Sequence, residues 1–309
     1  MSFKYNRADI HGGAIYVEEA GVSWNGTTVF TSNEALWDGG ALSELSAADV
    51  SWSGDTVFKY NRAASGGGAI YVADRVYVSW SGKTNFTFNT AATSAGGALR
   101  MVMSSEVSWT GDTKFEYNRA SFTGGAVYVS QAQVSWDGNT DGVTLISNNS
   151  AVTGGAICLS FGSTVRWNGP NTTFISNTAT SGSGGAIVVT NGSTVAWSGD
   201  TAFESNHANL FGEGGAVGSI TFDASVDGEL MSYFSIAGTT TFVDNVCNRN
   251  GGAMTLTGGL SVEFDPASNI TFWRNSAGAA GGAVFVSGVD VGPTFPGVSF
   301  VSNSAQLGG

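Results

Sequence analysis

Two short motifs alternate along this chain at a nearly fixed spacing, and the spacing limits the fold more than any other feature. Phe-x-x-Asn occurs at Phe3/Asn6, Phe30/Asn33, Phe58/Asn61, Phe86/Asn89 and Phe115/Asn118, and again from Phe174/Asn177 to Phe300/Asn303. Leu145/Asn148 fills the one missing slot. Gly-Gly-Ala follows each time, beginning at Gly12, Gly39, Gly67 and so on to Gly281. Through most of the chain the period is about 28 to 30 residues, which specifies a stacked array rather than a globule. A chain of 309 residues could hold two domains, but the unbroken repeat predicts one elongated body over 1–309. The 45 glycines fall at fixed phases and so do not read as a flexible linker.

One repeat, Gly67 to Asn89, shows the local structure expected. Gly67-Gly68 supplies a turn in which φ can be positive. The Ile70 column is aliphatic throughout (Ile15, Leu42, Leu99, Val127), whereas the next column is mixed (Tyr16, Ser43, Tyr71, Arg100). Alternation with period two is a half-buried strand. A second short strand ends in Val-Ser-Trp, a turn of the Ser-Gly-Asp-Thr kind follows, and a third strand ends in Phe-x-x-Asn. Three strands of this length cannot bury a face alone. Coiled so that each lies above its equivalent, they make an all-β, right-handed parallel β-helix of about ten rungs, three short strands per rung.

Vertical stacking puts like side chains on like. Phe58, Phe86 and Phe115 form one column, Trp52, Trp80 and Trp109 another, and Asn61, Asn89 and Asn118 a third. The asparagines are expected at an inner corner, where each amide bonds the ones above and below. A threonine column two residues before Phe, which includes Thr56, Thr84 and Thr113, has inward parity, so it suits backbone capping better than a flat ice-binding array. Surface columns alternate in sign, as in Arg7, Glu34, Arg62 and in Asp55, Lys83, Asp112, which favours this register.

Charged residues are 12% of the chain and the net charge is −12. An acidic rod without a basic stripe is a poor partner for nucleic acid or anionic lipid. No apolar run reaches the ~18 residues of a membrane helix, and Met1-Ser2-Phe3-Lys4 has no apolar signal-peptide region. Cys158 and Cys247 stand three repeats apart, about 14 Å, which predicts two isolated thiols.

The pattern breaks in the eighth repeat. Gly214 to Phe242 spans 28 steps where Gly184 to Phe203 spans 19. The excess reads as an inserted loop near 221–234 carrying Asp223, Asp227 and Glu229, and the Trp column is lost there. The preceding turn is lengthened and exposes Leu210-Phe211. Asp223, Asp227, Glu229 and Phe211 are therefore the candidate binding residues. The acids offer oxygen ligands, but their spacing fits no calcium loop, so no metal and no cofactor is expected. In the last repeat, Val291-Gly292-Pro293 and Pro296 weaken a central strand. Of six Asn-x-Ser/Thr sequons, Asn25, Asn171 and Asn191 are candidate glycosylation acceptors, whereas Asn148 is assigned to the inner corner. No polar cap is visible at either end, which suits a segment of a longer protein or a subunit that stacks into a filament.

Gly-Gly-Ala-[Ile/Leu/Val] paired with Phe-x-x-Asn resembles the repeat of chlamydial polymorphic outer membrane proteins, over Phe3 to Gly309. Similar repeats occur in large extracellular proteins of algae and other microbial eukaryotes, and the regular Val-Ser-Trp column inclines toward these. The resemblance implies an extracellular or cell-surface β-helical rod, structural or adhesive, whose partner is a protein or glycan at a cell surface, or itself end to end. It carries over no translocating barrel. The alternative is a polysaccharide-binding or polysaccharide-cleaving β-helix. Cleavage by hydrolysis needs two carboxylates on one face, and the sequence clusters acids only in the inserted loop; His11 and His207 are isolated, so no catalysis is expected.

Overall fold

A computed structural model describes residues 1–137, 142–220, 232–258, 260–288 and 297–308. The described chain is a parallel β-solenoid without helices. The first coil supplies β1 (Ser2–Lys4), β2 (Arg7–Ala8), β3 (Ile15–Glu18) and β4 (Gly21–Trp24), and each begins a separate sheet. The sheets hold 11, 10, 10 and 9 strands, and neighbours within each are successive coils. They are called here the Phe, corner, aliphatic and Trp sheets.

Register is residue on equivalent residue. Phe58 pairs Phe86, Trp80 pairs Trp109, and Ile70 pairs Leu99. The core is therefore a set of side-chain columns. Phe30, Phe58, Phe86 and Phe115 stack with centroids 4.6 to 4.9 Å apart and planes within 5°. Trp80, Trp109, Trp136 and Trp167 stack at 5.0 to 5.2 Å. The two columns meet edge to face, as at Trp109–Phe115 (5.9 Å, 84°). Each ring thus has offset-stacked neighbours along the axis and an edge contact across it, the geometries an aromatic quadrupole favours. Packing takes precedence over hydrogen bonding here. The indole N–H groups of Trp52, Trp80, Trp109, Trp136 and Trp167 are buried without a partner, and that of the tilted Trp197 donates to Thr240 Oγ1 at 3.1 Å. The threonine column is buried, and Thr56, Thr84 and Thr113 donate to the glycine carbonyls two residues back, at 3.2 to 3.5 Å.

The asparagine column saturates its amides. Asn61 donates its backbone N–H and one Nδ2–H to Asn89 Oδ1, both at 3.0 Å, and the other Nδ2–H to Phe30 O at 3.1 Å. Its own Oδ1 accepts both bonds from Asn33. Two donors and two lone pairs are all used, which is the full capacity of the group. The pattern runs from Asn6 to Asn303.

The residue before each Asn is left-handed, for example Tyr60 (φ 57°) and Phe88 (φ 56°). That residue turns the chain through the inner corner, and the sequence gives no hint of it because no glycine stands there. The Gly-Gly pair makes the other sharp corner. Gly67 has φ 63°, and a Cβ on Gly68 would lie 2.1 Å from Gly97 O, so the second glycine is required by close approach of the coil above.

Three expectations are corrected. The first nine coils each carry four strands, not three, because the two residues after Asn pair as a ladder of their own, as Arg62↔Thr90 and Ala63↔Ala91 do. The missing slot is filled by Ile146 and Asn149, not Leu145 and Asn148. Ile146 pairs Phe115 and is buried, Asn149 Oδ1 accepts from Asn118, and Asn148 is an exposed left-handed residue. Parity decides this, since Thr144 then continues the threonine column. The segment read as a loop over 221–234 includes part of a strand. Ser232–Ile236 lies between Thr194–Trp197 and Leu260–Phe264 in the Trp sheet, with Phe234 in the valine column and Ile236 and Phe264 in the tryptophan slots. Residues 221–231 and 291–296 lie outside the described residues. The two thiols are free and buried, as expected.

One core residue breaks the apolar rule. Glu44 occupies the inward column between Val17 and Val72, is fully buried, and neither carboxylate oxygen has a partner. Burial pushes its carboxyl up to about 8 from 4.5. A raised acid leaves stability intact below the unfolded carboxyl range and lowers it as pH rises from about 4.5 through about 8. Glu44→Gln should abolish that slope and gain about 3 to 5 kcal/mol over wild type near pH 8, read from denaturant midpoints between pH 4 and 9. Equal pH profiles for the two proteins would show that the carboxylate reaches water. In the columns, Phe115→Ala should cost about 3 to 5 kcal/mol. Asn118→Ala strands the donors of Asn89 and the carbonyl of Phe86 and should cost about 3 kcal/mol or more. A loss below about 1 kcal/mol in either variant would show that these columns carry little of the stability.

Candidate functional site

The residues singled out from sequence do not assemble into one site. Asp223, Asp227 and Glu229 lie outside the described residues. Phe211 is 75% exposed on the turn between the corner and aliphatic sheets, beside Leu210, which is left-handed (φ 54°). Trp37 and Phe122 are also exposed between the same two sheets in earlier coils. Asn25 and Asn171 are exposed and Asn191 is half-buried on a left-handed turn, so the three candidate acceptors lie at the surface to differing degrees.

The structure assembles a different group across the first four coils. His11 and Asp38 each precede a Gly-Gly turn, and Ser43, Tyr71 and Arg100 occupy the outward column of the aliphatic sheet. The turns fold back over that face and bring the two sets together. Arg100 Nη1 lies 3.1 Å from Asp38 Oδ1, which also accepts the Gly66 N–H at 2.8 Å. His11 Nδ1 is 4.0 Å from Asp38 Oδ2, and the imidazole stacks on Tyr71 at 6.0 Å with Trp37 at its edge. The Arg100 guanidinium lies over the Tyr71 ring at 5.5 Å. Burial and then the Asp38 carboxylate raise the Tyr71 phenol, and Arg100 opposes them. Three buried polar atoms here have no hydrogen-bond partner: His11 Nδ1, Ser43 Oγ and Arg100 Nε.

Asp38 is committed to holding coils together. Its carboxylate ties its own coil to Gly66 in the next and to Arg100 in the one after, while His11 reaches it from the coil before. Sequence reading set His11 aside as isolated, since its partners lie 26 to 60 residues away. The usable signal was the alignment of columns, which places His11 beside Asp38 and Tyr71 beside Arg100. Asp38→Ala leaves a largely buried guanidinium and an amide unpaired. It should cost about 2 kcal/mol, below the range for a fully buried pair because Arg100 is a quarter exposed. A loss under about 0.5 kcal/mol in denaturant titrations would show that this clamp adds nothing to the array.

Among the described residues no group of three or more His, Cys, Asp or Glu side chains could hold a metal ion, and no helix is long and apolar enough to cross a membrane.

No curated protein and no solved structure matches the chain. The model of the Chlamydia polymorphic membrane protein (Chlamydia_PMP) repeat matches residues 1–18, 55–73, 143–160 and 171–190. The stretches 1–18 and 55–73 each run from the Phe-x-x-Asn corner through the Gly-Gly-Ala turn, the two bends that shape every coil. At these four positions the solenoid is similar to the Chlamydia polymorphic membrane protein repeat.

Proposed function

We propose that this chain is an extracellular structural or adhesive rod, without catalysis, able to continue end to end with further coils of its own kind. The repeat and the fold fit a surface-exposed structural or adhesive β-helix. The observation that carries the reading is the unbroken, one-directional amide column from Asn6 to Asn303. Every coil accepts from the one before and donates to the one after, so the first and last coils present complementary edges. Ser2–Lys4 and Val298–Val301 are the two edge strands of the same sheet, with Phe3 and Phe300 closing the same ring column. Edge strands of a parallel sheet template further strands. The non-catalytic reading is supported by Asp38, whose carboxylate is held by Arg100 and by the Gly66 N–H between coils.

Negative-stain microscopy of the purified protein across concentrations, with sedimentation alongside, tests this. Rods about 50 Å long that join into multiples of that length as concentration rises are the expected result. Particles of one length at every concentration would remove the end-to-end step. Measurable turnover on a polysaccharide would overturn the non-catalytic reading.

A further inference from the structure

The left-handed corner before each asparagine holds a residue whose side chain faces solvent. Serine or asparagine suits the position, and serine fills it at Ser32, Ser176, Ser205 and Ser302. In four of the first five coils, however, it carries Tyr5, Tyr60, Phe88 and Tyr117, exposed by 78, 49, 41 and 49%. A bulky ring at positive φ is an outlier that costs conformational energy. Tyr60, Phe88 and Tyr117 recover some of it by stacking, at 5.1 and 4.9 Å. Tyr5 is separated from that stack by Ser32, so mutual stacking does not account for it.

Charge concentrates on the same edge. Lys4 and Lys59 flank the rings from the Phe sheet, and Arg7, Arg62 and Arg119 flank them from the corner sheet. Against these five cations the flanking columns of the same coils hold two carboxylates, Glu34 and Glu116, in a chain of net charge −12. Lys59 Nζ sits 4.9 Å over the Tyr60 ring. Arg7, Arg62 and Arg119 occur on alternate coils, with Glu34 and Thr90 between them, and so recur about every 10 Å along the axis. The Arg62–Glu34 pair is exposed and weak enough to exchange.

We propose that this edge binds a linear acidic polysaccharide laid along the rod, one that carries a carboxylate on alternate sugars. The proposal rests on reading the chain as a surface rod and names what that rod adheres to. A row of sites repeating with the coil suits a polymer that repeats, and cations on both flanks require it to be anionic. Stacked rings present their edges and the Tyr60 and Tyr117 hydroxyls, which donate to and accept from sugar hydroxyls. The overall negative charge disfavours a densely charged polyphosphate, whose field the whole rod would repel. The groove on the Trp sheet beside Tyr77 is lined by Asp49 and Glu106 and would reject the same ligand.

The test is calorimetric titration with hyaluronan oligosaccharides, which alternate acidic and neutral sugars, with dextran as the neutral control. Two double variants use residues the same columns already accept: Tyr60→Ser with Tyr117→Ser, and Arg62→Thr with Arg119→Thr. The intact protein should bind hyaluronan and not dextran, and binding should weaken as salt screens the exposed cations. Each double variant should bind about tenfold more weakly at an unchanged melting temperature. No hyaluronan binding at low salt would overturn the proposal, as would wild-type affinity in both variants. So would tighter binding of a single-stranded oligonucleotide than of hyaluronan, or self-association of the rods that the charge variant abolishes. Microscopy on the same samples separates this from the rod reading, since rods form whether or not the glycan binds.

Discussion

The vertical register of successive coils depends on the inner-corner amides. A parallel ladder by itself tolerates slippage, because backbone N–H and C=O groups repeat along every strand. The asparagines remove that freedom. From Asn33 onward each Oδ1 accepts a backbone and a side-chain N–H from one neighbouring coil, while each Nδ2 also reaches back to a carbonyl of the phenylalanine column in the coil before, Ile146 standing in for phenylalanine once. A shift of one residue would leave all of these unpaired in a dry interior, where every orphaned group costs about 1 to 3 kcal/mol. The Phe and Trp columns follow from this alignment. Flat rings stack at about coil height only if successive coils keep the same phase, and centroid distances of 4.6 to 5.2 Å show that most do. The stretched step from Trp52 to Trp80, 6.4 Å, shows that the ring column yields where the asparagine bonds, held at 3.0 Å, do not.

Most of this was legible before any coordinates, because a solenoid writes its contacts into the sequence as identity at a fixed period. The Phe, Trp, Thr and Asn columns and the sign-alternating Arg7, Glu34, Arg62 column all came from spacing. What failed did so for local reasons. Two adjacent asparagines, Asn148 and Asn149, fit the motif equally, and only the parity of the preceding strand separates them. The fourth strand is two residues long, too short for period two to be read. The strand Ser232–Ile236 was hidden because Phe234 and Ile236 replace valine and tryptophan, so the motif vanished while the packing role persisted.

Surface chemistry was less legible than the core, and the cause is the same periodicity. Outward columns are free to vary, so a functional group appears as an irregularity spread over several repeats. His11, Asp38, Tyr71 and Arg100 look unrelated in sequence and converge only when turns from one set of coils fold over strands of another. The aromatic corner was equally opaque, since nothing in Phe-x-x-Asn announces that its second variable position turns left-handed and outward.

These irregularities are unevenly placed. Nine of the twelve cations, the four aromatic corner residues, the Asp38 clamp and the buried Glu44 all fall before residue 120. Beyond it, the left-handed corner reverts to small or polar residues, apart from Arg274. A one-dimensional array permits this division because each coil contacts mainly its neighbours, so one stretch can depart from the consensus while the rest preserves it. Glu44 shows the limit of that tolerance. A carboxyl placed in an aliphatic column is retained neutral because the coils on either side, bound through their own asparagines and rings, hold the column closed around it. The stability to carry such a residue comes from the regular coils, and the departures from regularity give the rod its distinct surfaces.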